Sequence, residues 1–310
     1  MMGYGTVKAD MVYGFASLHP RLCFIYFAGL ITICMLVKHP VYLGAAFLVT
    51  ILLNFSIDRG RSLRKGLVRY LLIALVIFIT NPLFSSRGAT ILFYLLDRPV
   101  TLESIVYGAI FAISLLSVLF AFVAFNLIIT PEKMLYLITP FAPRTAFIVT
   151  VTLRFVPLLT SRLKEIMTIK RIMGQGKEQS QQMKKSKKNR MQNGMESLHT
   201  LISWSLEEAL ITASSMRARG YGVTKRSSAR IYKMDNRDRI VMWIIILTGT
   251  NLIIGAWYGV NRYDIYPRLS QMTWTSLYSF HFTCFLLYLL FPLFMNGKEW
   301  LHWYLIRSKM

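Results

Sequence analysis

Apolar residues run along this chain in long blocks rather than at alternating positions. Six blocks carry almost no charge: Leu22 to Val37, Pro40 to Ile57, Leu67 to Thr80, Ser104 to Ile129, Ile240 to Val260 and Met272 to Met295. At ~1.5 Å of rise per residue, roughly 20 apolar residues cross ~30 Å of hydrocarbon, so each block is a candidate transmembrane helix. The third is the shortest. It either reaches span length through Arg69, whose charge then snorkels to the interface, or is re-entrant.

Between Thr130 and Arg239 the pattern changes. Thr130 and Pro131 form an N-cap and first turn, and Lys133, Met134, Leu137 and Ile138 follow as one helical stripe, which predicts a short surface helix. Ala146 to Val156 is apolar over about half a span and reads as a helix lying along or dipping into the membrane interface. Past Pro157, Leu159, Leu163, Ile166, Ile169 and Met173 recur every three or four residues between charged ones, which predicts an amphipathic helix closed by Gly174 and Gly176. Residues 177–194 are Lys-rich with almost no apolar side chains and read as a linker. A second amphipathic helix is expected from Met195 to Arg219, with Leu198, Ile202, Leu206, Ala209, Ala213 and Met216 on one stripe and Gly220 as its stop. No strand-rich region is expected.

Composition agrees with a lipid environment: 55% of residues are hydrophobic and 16% charged, against roughly 25% charged in soluble domains. The formal charge is +22, and half of the 36 Lys and Arg lie between Ser161 and Arg239. Together with Arg59, Arg61, Arg64, Lys65 and Arg69, that asymmetry fixes an expected topology by the positive-inside rule. Both termini and the long basic segment are cytoplasmic. The loops at Lys38-His39, Asn81 to Glu103 and Asn261 to Gln271 are outside. The first residues lack a cleavable signal pattern, so the first block is expected to remain as a span. Three regions follow: 1–129 with about four spans, 130–239, and 240–310 with about two spans and a basic tail.

Residues for chemistry are sparse. Gly174-Gln175-Gly176-Lys177 lacks P-loop spacing and follows no strand, so nucleotide binding is not expected. The five histidines are scattered without metal-site spacing, Cys23, Cys34 and Cys284 lie inside apolar blocks, and no nucleophile elbow occurs. No metal, cofactor or catalytic residue is therefore assigned, and the apolar blocks lack the strong charges of an ion or proton path. The Lys-rich run has no interleaved aromatics for nucleic acid, so none is expected; its other readings are a solvated tether and an anionic-lipid contact. The specific feature is Met216-Arg217-Ala218-Arg219-Gly220-Tyr221-Gly222. Its arginines either cap the helix against the macrodipole or project beyond it as bidentate donors to partner carboxylates.

Thr152-Leu153-Arg154-Phe155-Val156-Pro157-Leu158-Leu159, the following Glu165, and Ala218-Arg219-Gly220-Tyr221-Gly222 resemble the transmembrane T component, EcfT/CbiQ-like, of energy-coupling factor (ECF) vitamin and metal importers. The resemblance implies an all-α polytopic fold of about six transmembrane helices, with amphipathic cytosolic coupling helices inserted between spans four and five. It implies a non-catalytic subunit of the bacterial cytoplasmic membrane, in contact with membrane lipid, two ABC-type ATPase subunits and a small substrate-binding membrane subunit. In that family two long helices each end in an Ala-Arg-Gly-like motif that enters an ATPase groove. Carried over, Arg219, with Ala218, Gly220 and Arg217, forms one tip. The other departs from the pattern: Met173 stands at the arginine position before Gly174, with Arg171 two residues earlier. Arg154, Pro157, Leu163, Ile166, Leu206 and Ala213 become coupling-helix packing positions. The alternatives weighed are an ABC importer permease with its own substrate path, whose Glu-Ala-Ala signature and spaced glycine are not matched around Glu207-Glu208-Ala209, and a membrane-bound enzyme, for which no paired acid and base are found.

Overall fold

The computed structural model describes residues 14–84, 88–95, 98–175, 187–223, 232, 234–260, 263, 265 and 276–307. Among these lie helices α1 Pro20–Leu36, α2 Pro40–Asp58, α3 Arg61–Phe84, α4 Leu102–Ile128, α5 Pro131–Ile138, α6 Pro143–Gln175, α7 Lys187–Ala218, α8 Asn236–Trp257 and α9 Ser276–Arg307, with strands β1 Ile91–Leu95 and β2 Arg98–Thr101. They form two compact units, Met1–Met134 with Tyr232–Met310, and Leu135–Ile231.

The first unit is an apolar helical bundle. Its first two helices start from the same dipeptide, His-Pro. His19 Nδ1 accepts the N–H of Arg21 at 3.2 Å and His39 Nδ1 that of Val41 at 3.3 Å, while Pro20 and Pro40 occupy first-turn positions where no N–H is needed. Leu22, Tyr26, Phe27, Leu30 and Ile33 of α1 are buried, and they pack with residues of α2, α4, α8 and α9. Two tyrosines tie α1 to α9: the Tyr288 hydroxyl donates to the Tyr26 carbonyl at 2.7 Å, Tyr26 donates to Leu289 O at 3.3 Å, and their rings stack at 5.1 Å. Asn54 of α2 donates to Phe120 O of α4 at 3.0 Å. These bonds satisfy polar groups where lipid and protein interior offer no water.

Several sequence expectations change. Of the two readings of the third block, the longer one agrees with the structure: α3 runs 24 residues and, with Arg69 inside it, is long and apolar enough to span. Pro157 does not separate an interfacial helix from an amphipathic one, because α6 is continuous through it. Among the described residues Pro143–Lys170 therefore joins α2, α3, α4, α8 and α9 as six helices of span length and hydropathy, while α1, at Pro20–Leu36, is a shorter apolar helix. Gly174 lies inside α6, and Gly176 and the linker residues 177–186 fall outside the described residues. Helix α7 already begins at Lys187, upstream of Met195, consistent with the good helix propensity of Lys, Arg and Gln. The hairpin was not expected at all. Strands β1 and β2 pair antiparallel between α3 and α4, where the β-rich run Ile91-Leu92-Phe93-Tyr94-Leu95 was its signal. In the short helix α5, Lys133 is buried: its Nζ donates to Ala16 O at 2.7 Å and Ile128 O at 3.1 Å, closing the end of α4, and burial pushes its pKa down. Most of the loop Asn261 to Gln271 lies outside the described residues.

Candidate functional site

The Arg219 segment ends α7, and its geometry follows from glycine. Gly220 has φ +79, a left-handed conformation that costs a Cβ-bearing residue ~1–2 kcal/mol. Tyr221 N–H donates back to Met216 O and Gly220 N–H to Arg217 O, both at 3.0 Å. This pair of bonds is the Schellman closure, and it places Arg219 at the C-cap with Arg217 one turn position before. Both arginines are exposed, and the arginine side chains make no hydrogen bond or ion pair among the described residues. The last-turn carbonyls of Met216 and Arg217 are thus held by backbone N–H groups, not by guanidinium. The donors of Arg217 and Arg219 are not used by the last turn of the helix itself. Ala218, between them, keeps the tip narrow.

Helix α6 runs antiparallel to α7, and three pairs record the register. Phe147 stacks on Tyr221 at 5.3 Å between ring centroids, Arg162 sits 4.9 Å over the Trp204 ring, and Lys170 Nζ meets Glu196 Oε2 at 3.3 Å. Arg162 also bonds Glu165 at 2.8 Å, so its fork is shared between a carboxylate and an aromatic face. Along α6 the half-buried positions are Phe147, Val151, Phe155, Leu159, Leu163, Ile166 and Lys170. That row passes Pro157 without a gap: Pro157 is exposed and the packing face continues on both sides of it. Of the sequence stripe on α7, only Met216 lies on the facing side. It is Ser197, Leu201, Trp204, Ser205, Glu208, Thr212 and Met216 that turn inward, while Leu198, Ile202 and Leu206 are 47%, 59% and 63% exposed.

The expected site residues therefore divide. Arg217, Ala218, Arg219 and Gly220 come together at one end. Leu163 and Ile166 pack on the inner face, and Arg154, Pro157, Leu206 and Ala213 are exposed on outer faces. Met173 lies in the last turns of α6, 70% exposed, with Gly174 beside it; the side chain of Arg171 falls outside the described residues. Because the helices are antiparallel, the Met173 and Arg219 ends are opposite ends of the pair. Continuing the register, Met173 lies level with position 193, roughly 26 residues or 39 Å along α7 from Arg219 at 1.5 Å per residue. Two residues that the sequence reading does not single out help set this geometry, Phe147 and Trp204, and they meet Tyr221 of the tip motif and Arg162. Their only signal was aromatic placement.

Among the described residues no group of three or more His, Cys, Asp or Glu could hold a metal ion. The site offers charge-assisted hydrogen bonding and apolar surface. Residues 15–229 match the model of a protein family described as cobalt transport protein, CbiQ. No curated protein matches the chain.

Proposed function

The chain belongs to the CbiQ family of cobalt transport proteins, and from that premise we propose that it is the transmembrane coupling subunit of an ATP-driven, ECF-type importer. In this reading ATP is hydrolysed by two partner ABC-type ATPases, and the chain itself is not an enzyme. Here α6, although long and apolar enough to span by length and composition, lies with α7 on the cytoplasmic side of a bacterial inner membrane as part of the coupling apparatus, and both termini are also inside. ATPase closure moves the two ends of the pair, and the pair tilts or releases a small membrane subunit that binds the imported metal ion or vitamin. The exposed row Leu198, Ile202 and Leu206 of α7 supplies apolar surface for that subunit.

The observation that carries the proposal is the Arg219 end. A helix whose terminal carbonyls are already bonded, and whose exposed arginines have no hydrogen-bond or ion-pair partner among the described residues at a tip fixed by a glycine turn and an aromatic stack, suits a carboxylate-lined groove. Truncating one side of a buried charge contact of this kind costs roughly 2–5 kcal/mol of association. The test is co-purification from native membranes in detergent. The unmutated chain is expected to bring down ATP-hydrolysing subunits and Arg219→Glu to lose them. Retention by Arg219→Glu, or no ATPase with the unmutated chain, overturns the assignment. Met173→Arg asks the same of the opposite end, where stronger association is expected from an arginine-compatible groove.

A further inference from the structure

We propose that the outward face of α3 is a binding site for one anionic phospholipid, with its head group held at the α2–α3 turn. This site is in the other structural unit from the α6–α7 pair and does not depend on the coupling role.

The turn is built for charge display. Arg59 (φ +50) and Gly60 (φ +72) reverse the chain directly between the two helices, with Arg59 N–H bonded to Phe55 O and Arg64 N–H to Gly60 O. Arg59, Arg61, Arg64, Lys65 and Arg69 are all exposed. The sole acidic residue between Met11 and Leu96 is Asp58, and it is occupied by Ser62, whose N–H and hydroxyl reach it at 3.1 and 2.6 Å. None of the five cations has an ion-pair partner among the described residues. Five positive charges within 11 residues repel one another unless an anion comes from outside.

Below them α3 turns the same face to lipid. Its buried positions are Leu63, Gly66 and Ala74, the side toward α4. On the opposite side Arg61 and Lys65 are followed at helical spacing by Val68, Leu72, Val76 and Ile79, which are 78%, 57%, 53% and 49% exposed. From Val68 to Ile79 is roughly 16 Å, about one leaflet of a ~30 Å hydrocarbon core. A cationic collar over an apolar row one leaflet deep has the dimensions of a phospholipid: phosphate above, acyl chains below. A soluble anion or an acidic peptide would engage the collar alone, whereas a phospholipid engages the collar and the row beneath it together.

The experiment is native mass spectrometry of the full chain, delipidated in detergent and offered equimolar phosphatidylglycerol and phosphatidylcholine. Each juxtamembrane base contributes roughly a fivefold preference for an anionic head group. The unmutated chain is expected to hold phosphatidylglycerol in preference by tenfold or more, and R61Q/R64Q/K65Q to lower that preference by about fivefold for each charge removed, Arg59 and Arg69 keeping the remainder. The single Lys65→Gln, expected to lose about fivefold, covers the case in which the triple variant does not fold. R61K/R64K, which keeps the charge, is expected to keep the preference. An unchanged ratio in the neutralised variants overturns the proposal. So does full displacement of phosphatidylglycerol by millimolar inorganic phosphate, which would mark a soluble-anion site, or equal retention of both lipids by the unmutated chain.

Discussion

Gly220 gives the sharpest test of how the Arg219 tip is held. Nothing lies within 4 Å of where a Cβ on Gly220 would sit, so Gly220→Ala adds no clash and isolates the backbone term. That term is the cost of a left-handed residue at φ +79, ~1–2 kcal/mol for alanine and less for asparagine, whose short polar side chain tolerates the conformation. Two amide bonds report it directly: Tyr221 N–H to Met216 O and Gly220 N–H to Arg217 O. A loss of 1–2 kcal/mol raises the open population about 5- to 30-fold. Hydrogen exchange of the full chain in detergent should therefore show residues 219–221 exchanging faster by about that factor in Gly220→Ala. Gly220→Asn should fall between it and the unmutated chain, and the α6 amides around Leu163 should not change. ATPase co-purification should weaken in the same order. If alanine and asparagine leave exchange at the tip unchanged, the glycine is not what closes α7, and the tip geometry is held by the Phe147–Tyr221 stack alone.

The Lys170–Glu196 pair is exposed, so reversing one partner should cost α6–α7 packing only ~0.2–1 kcal/mol, and the double swap Lys170→Glu with Glu196→Lys should restore it; engineered-cysteine cross-linking of the two helices reads both. Asn54→Ala removes the bond from α2 to Phe120 O and should lower stability in detergent by about 0.6–1.7 kcal/mol, the range for interhelical bonds in membranes, seen as a lower unfolding temperature. His39 caps α2 through an unprotonated Nδ1 among the rings of Tyr42, Tyr263 and Tyr278, and burial holds its pKa below 6.5. The neutral form is thus favoured by folding: the contribution is complete above 6.5 and is lost as pH falls through the lower folded value. His39→Ser, which caps without titrating, should remove that part of the acid-side loss of stability; an equal loss in both proteins refutes it.

The membrane helices were legible because their signal is length and lack of charge, which needs no partner to be seen. The limits of that signal show in α6. Its apolar half and its amphipathic half belong to one helix, and only the packing row through Phe155 and Leu159 reveals that Pro157 faces away from it. The Arg219 end was legible too, since glycine after a periodic run is a local stop, whereas the side of α7 that meets α6 was not. Leu198, Ile202 and Leu206 form the more apolar stripe, and periodicity ranks stripes by hydrophobicity, yet Ser197, Trp204, Ser205 and Thr212 let α6 approach. The β1–β2 hairpin was hidden for a related reason: a five-residue apolar run looks the same whether it continues a span or pairs with a neighbour.

The antiparallel register of α6 and α7 makes the pair a ruler. The separation of its two ends is set by how many turns the helices share, and the residues connecting them do not enter. Lengthening the connection should leave the interval untouched, while adding seven residues to each helix at matching levels should widen it by about 10 Å at 1.5 Å per residue and preserve the facing rows. Any pair of partners gripping both ends must match that fixed interval, so compatibility between this chain and foreign partners should follow helix length more closely than it follows the residues at the tips.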